Sequence, residues 1–405
     1  MRAPVVVAAL TCALAVAAIA PARAEVLEPP PPAPTAVADF TAQAKLLFRV
    51  AACGGTEPVP APFDAKIVDA HCAEMQKRFV RFRQRYVEPA QALLATVRPA
   101  GLPTRVVYPF GGGDLVSALV VYPDAREVTT ISLEHVGDPT RLAELDRRQL
   151  RASLSLFREV VRGLLVNNDS ASENMRKLER GAVPGQLSFF LTGLAVLGYE
   201  PVGLRYFVLD GESPRYLTNA DVASLAKSRA KRKKGSWVDT DFSEAFTHAE
   251  LSFRRAGDAT APVLVHRHFA ANLADDGFVG SALQQHLVAK GKVAAMTKAA
   301  SYLLWLGSFS GIRDYLMGHL AWMLSDSTGI PPRFARKAGL VQTPYGRFTG
   351  SYLPAGQGDN DAFRALWARP PRRPLRFRFG YPDAAGNVHM LVTAPAVAPA
   401  SPPTP

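Results

Sequence analysis

Cysteine is scarce in this chain: three occur among 405 residues, at positions 12, 53 and 72. Their spacing matches no zinc cluster, which excludes a structural zinc module of that kind. Acids are short as well, with 35 Asp and Glu against 47 Lys and Arg, leaving a formal net charge of +12. That balance points toward an anionic partner, either nucleic acid or a membrane surface. Beyond residue 20 no uncharged apolar run reaches the length of a membrane span, so no transmembrane segment is expected in the mature chain. Several catalytic signatures are missing too. GSFSG at 307–311 mimics a nucleophile elbow but centres on Phe309. Ser224 and Lys227 satisfy S-x-x-K without the companion S-D-N and K-T-G motifs. No internal repeat is visible.

What is present begins with a leader. Arg2, an apolar run from Val5 to Ala20 and the small-residue site Ala22-Arg23-Ala24 read as a secretory signal peptide over 1–24. The expected location is therefore periplasmic or extracellular. In that compartment Cys53 and Cys72, the two cysteines left after cleavage, are expected to form a disulfide. Residues 25–36 are a proline-rich spacer and 37–100 a helical segment tied by that bridge. An α/β core spans 101–355, a C-terminal extension with a hairpin spans 356–393, and 394–405 form a disordered tail. Two basic stretches, Lys227 to Lys234 and the run containing Arg369, Arg372, Arg373, Arg376 and Arg378, carry much of the excess charge. Neither sits in a recognisable nucleic-acid module, and export argues further against nucleic acid, so none is expected as a partner.

The core reads as alternating strands and helices. Thr104 to Phe110 and Glu127 to Val136 are β-branched, apolar strands joined by a short helix starting at Asp114, which implies a parallel βαβ unit. Arg147 to Leu165 and Pro184 to Gly198 read as helices, and Val202 to Leu209, Leu251 to Arg255 and Val263 to Phe269 as strands. Ser310 to Leu324 keeps helical spacing through Ile312, Leu316, Leu320 and Met323, with Ser310 as its cap. Leu375 to Tyr381 and Asn387 to Thr393 flank a turn and predict a terminal hairpin. The fold class that follows is α/β, with a Rossmann-like layered core of parallel strands.

Six phrases extend this reading: His71-Cys72, YPFGGGD at 108–114, LEHVGDP at 133–139, GQLSFFLTGLAVLGYEPVG at 185–203, TKAASYLLW at 297–305 and SDSTGIPPRF at 325–334. Together they resemble an uncharacterised family of exported bacterial proteins. That resemblance brings no established activity and no catalytic residue.

Candidate site residues cluster in those phrases. Tyr108, Gly111, Gly112, Gly113 and Asp114 form a strand–glycine–helix turn, and Glu134 follows the next strand. This is the order of a nucleotide site, where helix N–H groups meet phosphate and an acid binds ribose. Against that use, GGG is not G-x-G-x-x-G, Asp114 would repel a phosphate, and an exported protein has no nucleotide supply; no cofactor is expected. Lys298, Ser301 and Tyr302 enter an apolar run, where a buried lysine needs a partner such as Asp114 or Glu134. Asp326, Ser327 and Thr328 precede Gly329 as polar turn residues or a site. His266 and His268 share one strand face, but no acid completes a metal set and no metal is expected. The expected function is an exported ligand-binding or envelope-associated protein, with an unknown small molecule or envelope component as partner. The alternatives are a hydrolase using Asp114, Glu134 or Asp326 in a cleft, and a degenerate Rossmann or methyltransferase-like scaffold without its cofactor.

Overall fold

The protein is described by a computed structural model over residues 36–163, 165, 178, 183–225, 243–298, 300–326, 328–348, 360–379 and 388–396. The leader, most of the spacer, the basic stretch Lys227 to Lys234, Ser327 and the far C-terminal tail lie outside the described residues. The chain first lays down three helices, α1 (Thr41–Val50), α2 (Ala65–Phe82) and α3 (Glu88–Val97), the last two joined by a π-helical turn. There follow β1 (Arg105–Pro109), α4 (Leu115–Val121), β2 (Glu127–Ser132), α5 (Arg147–Arg162), α6 (Gly185–Leu197), β3 (Tyr199–Asp210) and β4 (Ser213–Tyr216). Next come α7 (Asn219–Leu225), β5 (His248–Arg255), β6 (Leu264–Ala270), α8 (Asp275–Phe278), α9 (Ala282–Ala289) and β7 (Val293–Thr297). The chain closes with α10 (Ser310–His319), β8 (Leu320–Ser325), α11 (Pro332–Lys337), β9 (Leu340–Arg347), α12 (Asn360–Ala368) and β10 (Val388–Pro395).

Local chemistry explains the helices. Asp64 caps α2 by accepting from the Lys66 and Ile67 amides, and Ile67, His71, Met75, Phe79 and Phe82 form its buried face. Asp146 and Gln149 make a reciprocal capping box on α5. In α6 buried side chains continue all round, and Gly198 ends it in the left-handed region at φ 73°. The expected Cys53–Cys72 disulfide is present and ties the end of α1 to α2.

The sheet has ten strands in the order β4-β3-β5-β6-β2-β1-β7-β8-β10-β9. The five strands from β6 to β8 run parallel. β5, β3 and β4 extend one side in antiparallel fashion. On the other side β10 is antiparallel to both β8 and β9. The fold is therefore mixed α/β, with a parallel centre and antiparallel wings rather than parallel strands throughout. Side chains alternate across it. Val106, Tyr108, Met296, Trp322 and Leu324 join the core beneath α1 to α6, while Val107, Ala295, Leu320 and Met323 face α9 and α10.

Two expectations are corrected. The predicted helix Ser310 to Leu324 stops at His319, and Leu320 to Ser325 is a strand paired with β7 and β10. A strand buried on both faces is a continuous apolar run, and helical spacing is easily read into it. The N-cap of α10 is Phe309; Ser310 instead bonds to Asp275 through its amide and hydroxyl. Gly329, at φ 58°, sits in a turn after that strand. The predicted terminal hairpin does not form either. Residues 375–379 are not a strand, because both edges of β10 are taken by β8 and β9. That segment instead turns inward and buries Phe377 and Phe379.

Candidate functional site at the carboxyl edge of the parallel strands

Chain order runs from β1 through β2 to β6 on one side, and through β7 to β8 on the other. The sheet therefore reverses between β1 and β7, which is where open α/β sheets place ligands. The sequence candidates collect along this edge: the glycine loop after β1, Glu134 after β2, Lys298 after β7 and Asp326 after β8.

Packing explains the glycines. A Cβ on Gly111 would lie 2.9 Å from the Tyr108 carbonyl oxygen, and one on Gly113 would lie 2.8 Å from Phe189 Cβ and 3.0 Å from Gln186 Oε1. Gly112 has φ 48°, and Phe110 holds φ 61°, a strained value for a bulky residue. The Gly111 amide donates to Ile131 O at 3.0 Å and the Asp114 amide to Gly111 O at 3.0 Å. Both N–H groups are thus spent inside the protein rather than offered to an anion.

Between this loop and Glu134 stands Gln186, fully buried at the start of α6. Its Nε2 donates to Glu134 Oε2 at 3.4 Å and to Ser132 Oγ at 3.5 Å, both long contacts, while Oε1 has no hydrogen-bond partner. Gln186 therefore spans from the glycine loop to Glu134, and Phe189 packs directly on Gly113.

Lys298 pairs with Asp114, not Glu134. Its Nζ donates to Asp114 Oδ2 at 3.1 Å and to Ser117 Oγ at 3.0 Å. The same Oδ2 accepts from Tyr108 OH at 3.0 Å, and Oδ1 accepts from the Ser117 amide at 3.3 Å, which caps α4. Tyr86 OH donates to Ser117 Oγ at 3.1 Å, and the ammonium lies 5.3 Å from the Tyr86 ring and 5.9 Å from the Phe379 ring. Side-chain exposure is only 12% at Lys298 and 13% at Asp114, so this is an interior ion pair. Burial, the largest single effect, lowers the Lys298 pKa, but the charge and hydrogen bond of Asp114, with the charges of Tyr86 and Asp326, together hold the ammonium above its ordinary value.

Ser301 and Asp326 form a second group, fully buried. Ser301 Oγ donates to Asp326 Oδ1 and also touches Thr328 Oγ1, while the Thr328 amide approaches Oδ1 at 3.4 Å. Asp326 Oδ2 has no hydrogen bond. Burial pushes the Asp326 carboxyl up, with the charge of His389 opposing it. Tyr302 is half-buried against the Trp305 and Phe363 cluster, apart from these bonds.

His266 and His268 do share one face. Thr130 Oγ1 lies 2.8 Å from His266 Nε2 and 2.8 Å from His268 Nδ1, and His268 Nε2 lies 2.9 Å from Glu134 O. A directed chain satisfies every contact: His266 donates to Thr130, Thr130 to His268, and His268 to the Glu134 carbonyl. Burial lowers both histidine pKa values, that of His268 to about 4.

Sequence reasoning missed Tyr86, Ser117, Gln186 and Thr130. Gln186 carried a usable signal, being the one amide side chain in a largely apolar helix. Tyr86 continues the buried face of α2 into the π-helical turn, where an aromatic residue gives no polar signal.

Comparison with known proteins returned no matching family model, no matching curated protein and no matching solved structure.

Proposed function

We propose that this is an exported, envelope-associated α/β protein built on a nucleotide-type scaffold that has given up its cofactor. The carrying observation is that Gln186 bridges Gly113 and Glu134 while Phe189 packs on Gly113. The strand arrangement supports the scaffold reading: a parallel β6-β2-β1-β7-β8 block with one reversed strand, β10, set between β8 and β9, resembles a methyltransferase-like layout. The ion pair supports the non-catalytic reading, since Asp114 is held by Lys298 and is not available as a base. The export reading rests on the leader over 1–24 and agrees with the Cys53–Cys72 disulfide.

Two experiments test it. Calorimetric titration with S-adenosylmethionine, NAD and ATP at millimolar concentration is expected to show no binding; saturable binding of any of them overturns the scaffold reading. Amino-terminal sequencing of protein extracted from cells is expected to begin at Glu25; an intact Met1 overturns export.

A hydrolase is the second reading, and one observation favours it: the buried Asp326 carboxyl, raised by burial, lies beside Ser301 with one oxygen unbonded. Zero exposure at both residues weighs against substrate access. Turnover of an ester or peptide panel that Asp326→Asn abolishes would establish it.

A further inference from the structure

The outer surface of α2 and α5 is strongly cationic and takes no part in the site at the carboxyl edge of the sheet. α5 carries Arg147, Arg148, Arg151, Arg158 and Arg162 against Glu159 alone. On the neighbouring helix Arg78, Arg81 and Arg85 follow one another at three- and four-residue spacing, continuing into the π-turn, and so share a face. On α5 Arg151, Arg158 and Arg162, seven and four residues apart, also share a face. The two rows abut: Arg78 Nη1 donates to the Arg158 carbonyl, and Arg158 Nη1 donates to His71 Nδ1 at 3.1 Å. Local acids offset only part of this charge: Glu74 pairs with Lys77 at 2.6 Å and also feels Arg78 and Arg158, and Asp64 pairs with Arg147 at 2.6 Å. Burial first, and then the charges of Arg158 and Arg162, push the Arg78 guanidinium down.

We propose that this paired-helix face docks on the phosphate headgroups of an anionic lipid membrane. The proposal rests on the envelope-associated reading and gives that reading a surface. Charge complementarity supplies the attraction, with each basic side chain near a membrane adding about fivefold to affinity. The guanidiniums stand in two rows on a broad helical face, which suits a sheet of phosphates. Single-stranded nucleic acid would call for stacking rings, yet the exposed large hydrophobic residues among those described are Val and Leu only.

Co-sedimentation of the purified protein with vesicles tests this. Binding is expected to phosphatidylglycerol–phosphatidylcholine vesicles and not to phosphatidylcholine alone, and to weaken at least about tenfold at high salt. Arg78→Gln with Arg158→Gln should weaken it strongly, but that pair could disturb the α2–α5 contact. A second variant, Arg81→Gln with Arg85→Gln and Arg151→Gln, removes only exposed charges and should weaken binding at least about tenfold with Tm unchanged, while the matching lysine variant keeps most of it. Equal binding by that glutamine variant, or no binding by the wild type, overturns the docking surface wherever the protein is found in cells. Displacement from vesicles by a single-stranded oligonucleotide at lower concentration than soluble anionic lipid requires also overturns it. A cytosolic location with vesicle binding intact removes the envelope reading and leaves this surface standing.

Discussion

Lys298 shows what a single residue does in this interior. Its ammonium serves Asp114 and Ser117 while two aromatic rings flank it. Lys298→Met would leave the Asp114 carboxylate buried without its cation, and the expected cost is about 3 kcal/mol. Chemical denaturation would measure it. Adding Asp114→Asn to Lys298→Met should recover part of the loss, because the stranded charge is then gone. Asp326 behaves in the opposite way. Its folded pKa is raised by burial, so its contribution is present at acidic pH and is lost as pH rises through the folded value. Asp326→Asn is therefore expected to raise Tm near pH 8 and to have little effect near pH 3. A larger gain at acidic pH than at neutral pH would contradict this account of the carboxyl. The sequence marked both residues as candidates, and Asp114 as one of two possible partners for Lys298. It could not show that Asp326 is sealed from solvent, because that depends on β10 and on the turn over Ser325.

At the scale of elements, legibility followed locality. The β1-α4-β2 unit was readable because its apolar runs, its glycine turn and its capping acid are contiguous. The α10–β8 boundary was not, because Leu320 to Ser325 is buried on both faces and loses the alternation that marks a half-exposed strand. The pairing of β10 was hidden for another reason. Its neighbours, β8 and β9, lie far upstream in the chain, and no local pattern encodes a long-range choice of partner. The α1–α2 link was readable from two cysteines alone. Replacing Cys53 and Cys72 together with alanine removes a cross-link of sequence separation 19, and the expected loss is about 3 kcal/mol. Denaturant midpoints of the oxidised wild type and the double variant measure it, and no change in midpoint would show that α1 and α2 hold without the bridge.

On the scale of the whole molecule, a wide mixed sheet buries several histidines between its layers. Burial lowers the pKa of His71 to about 4, of His268 to about 4 and of His248 to about 3. An unfolded histidine titrates near about 6.5. The folded chain thus gains stability from these groups above about pH 6.5 and loses it progressively as pH falls toward their folded values. Urea midpoints at pH 7 and pH 4.5 should differ clearly, with the acidic one lower; equal midpoints would contradict the neutral, buried state of these rings. The same sheet frames the central claim. Its switch point between β1 and β7 has the position of a nucleotide site, yet Gln186, Phe189 and the Asp114–Lys298 pair occupy that edge. Amide hydrogen exchange across Gly111 to Asp114, with and without millimolar S-adenosylmethionine or NAD, tests this most directly. The account predicts identical protection in all three samples; added protection of those amides by either nucleotide would contradict it.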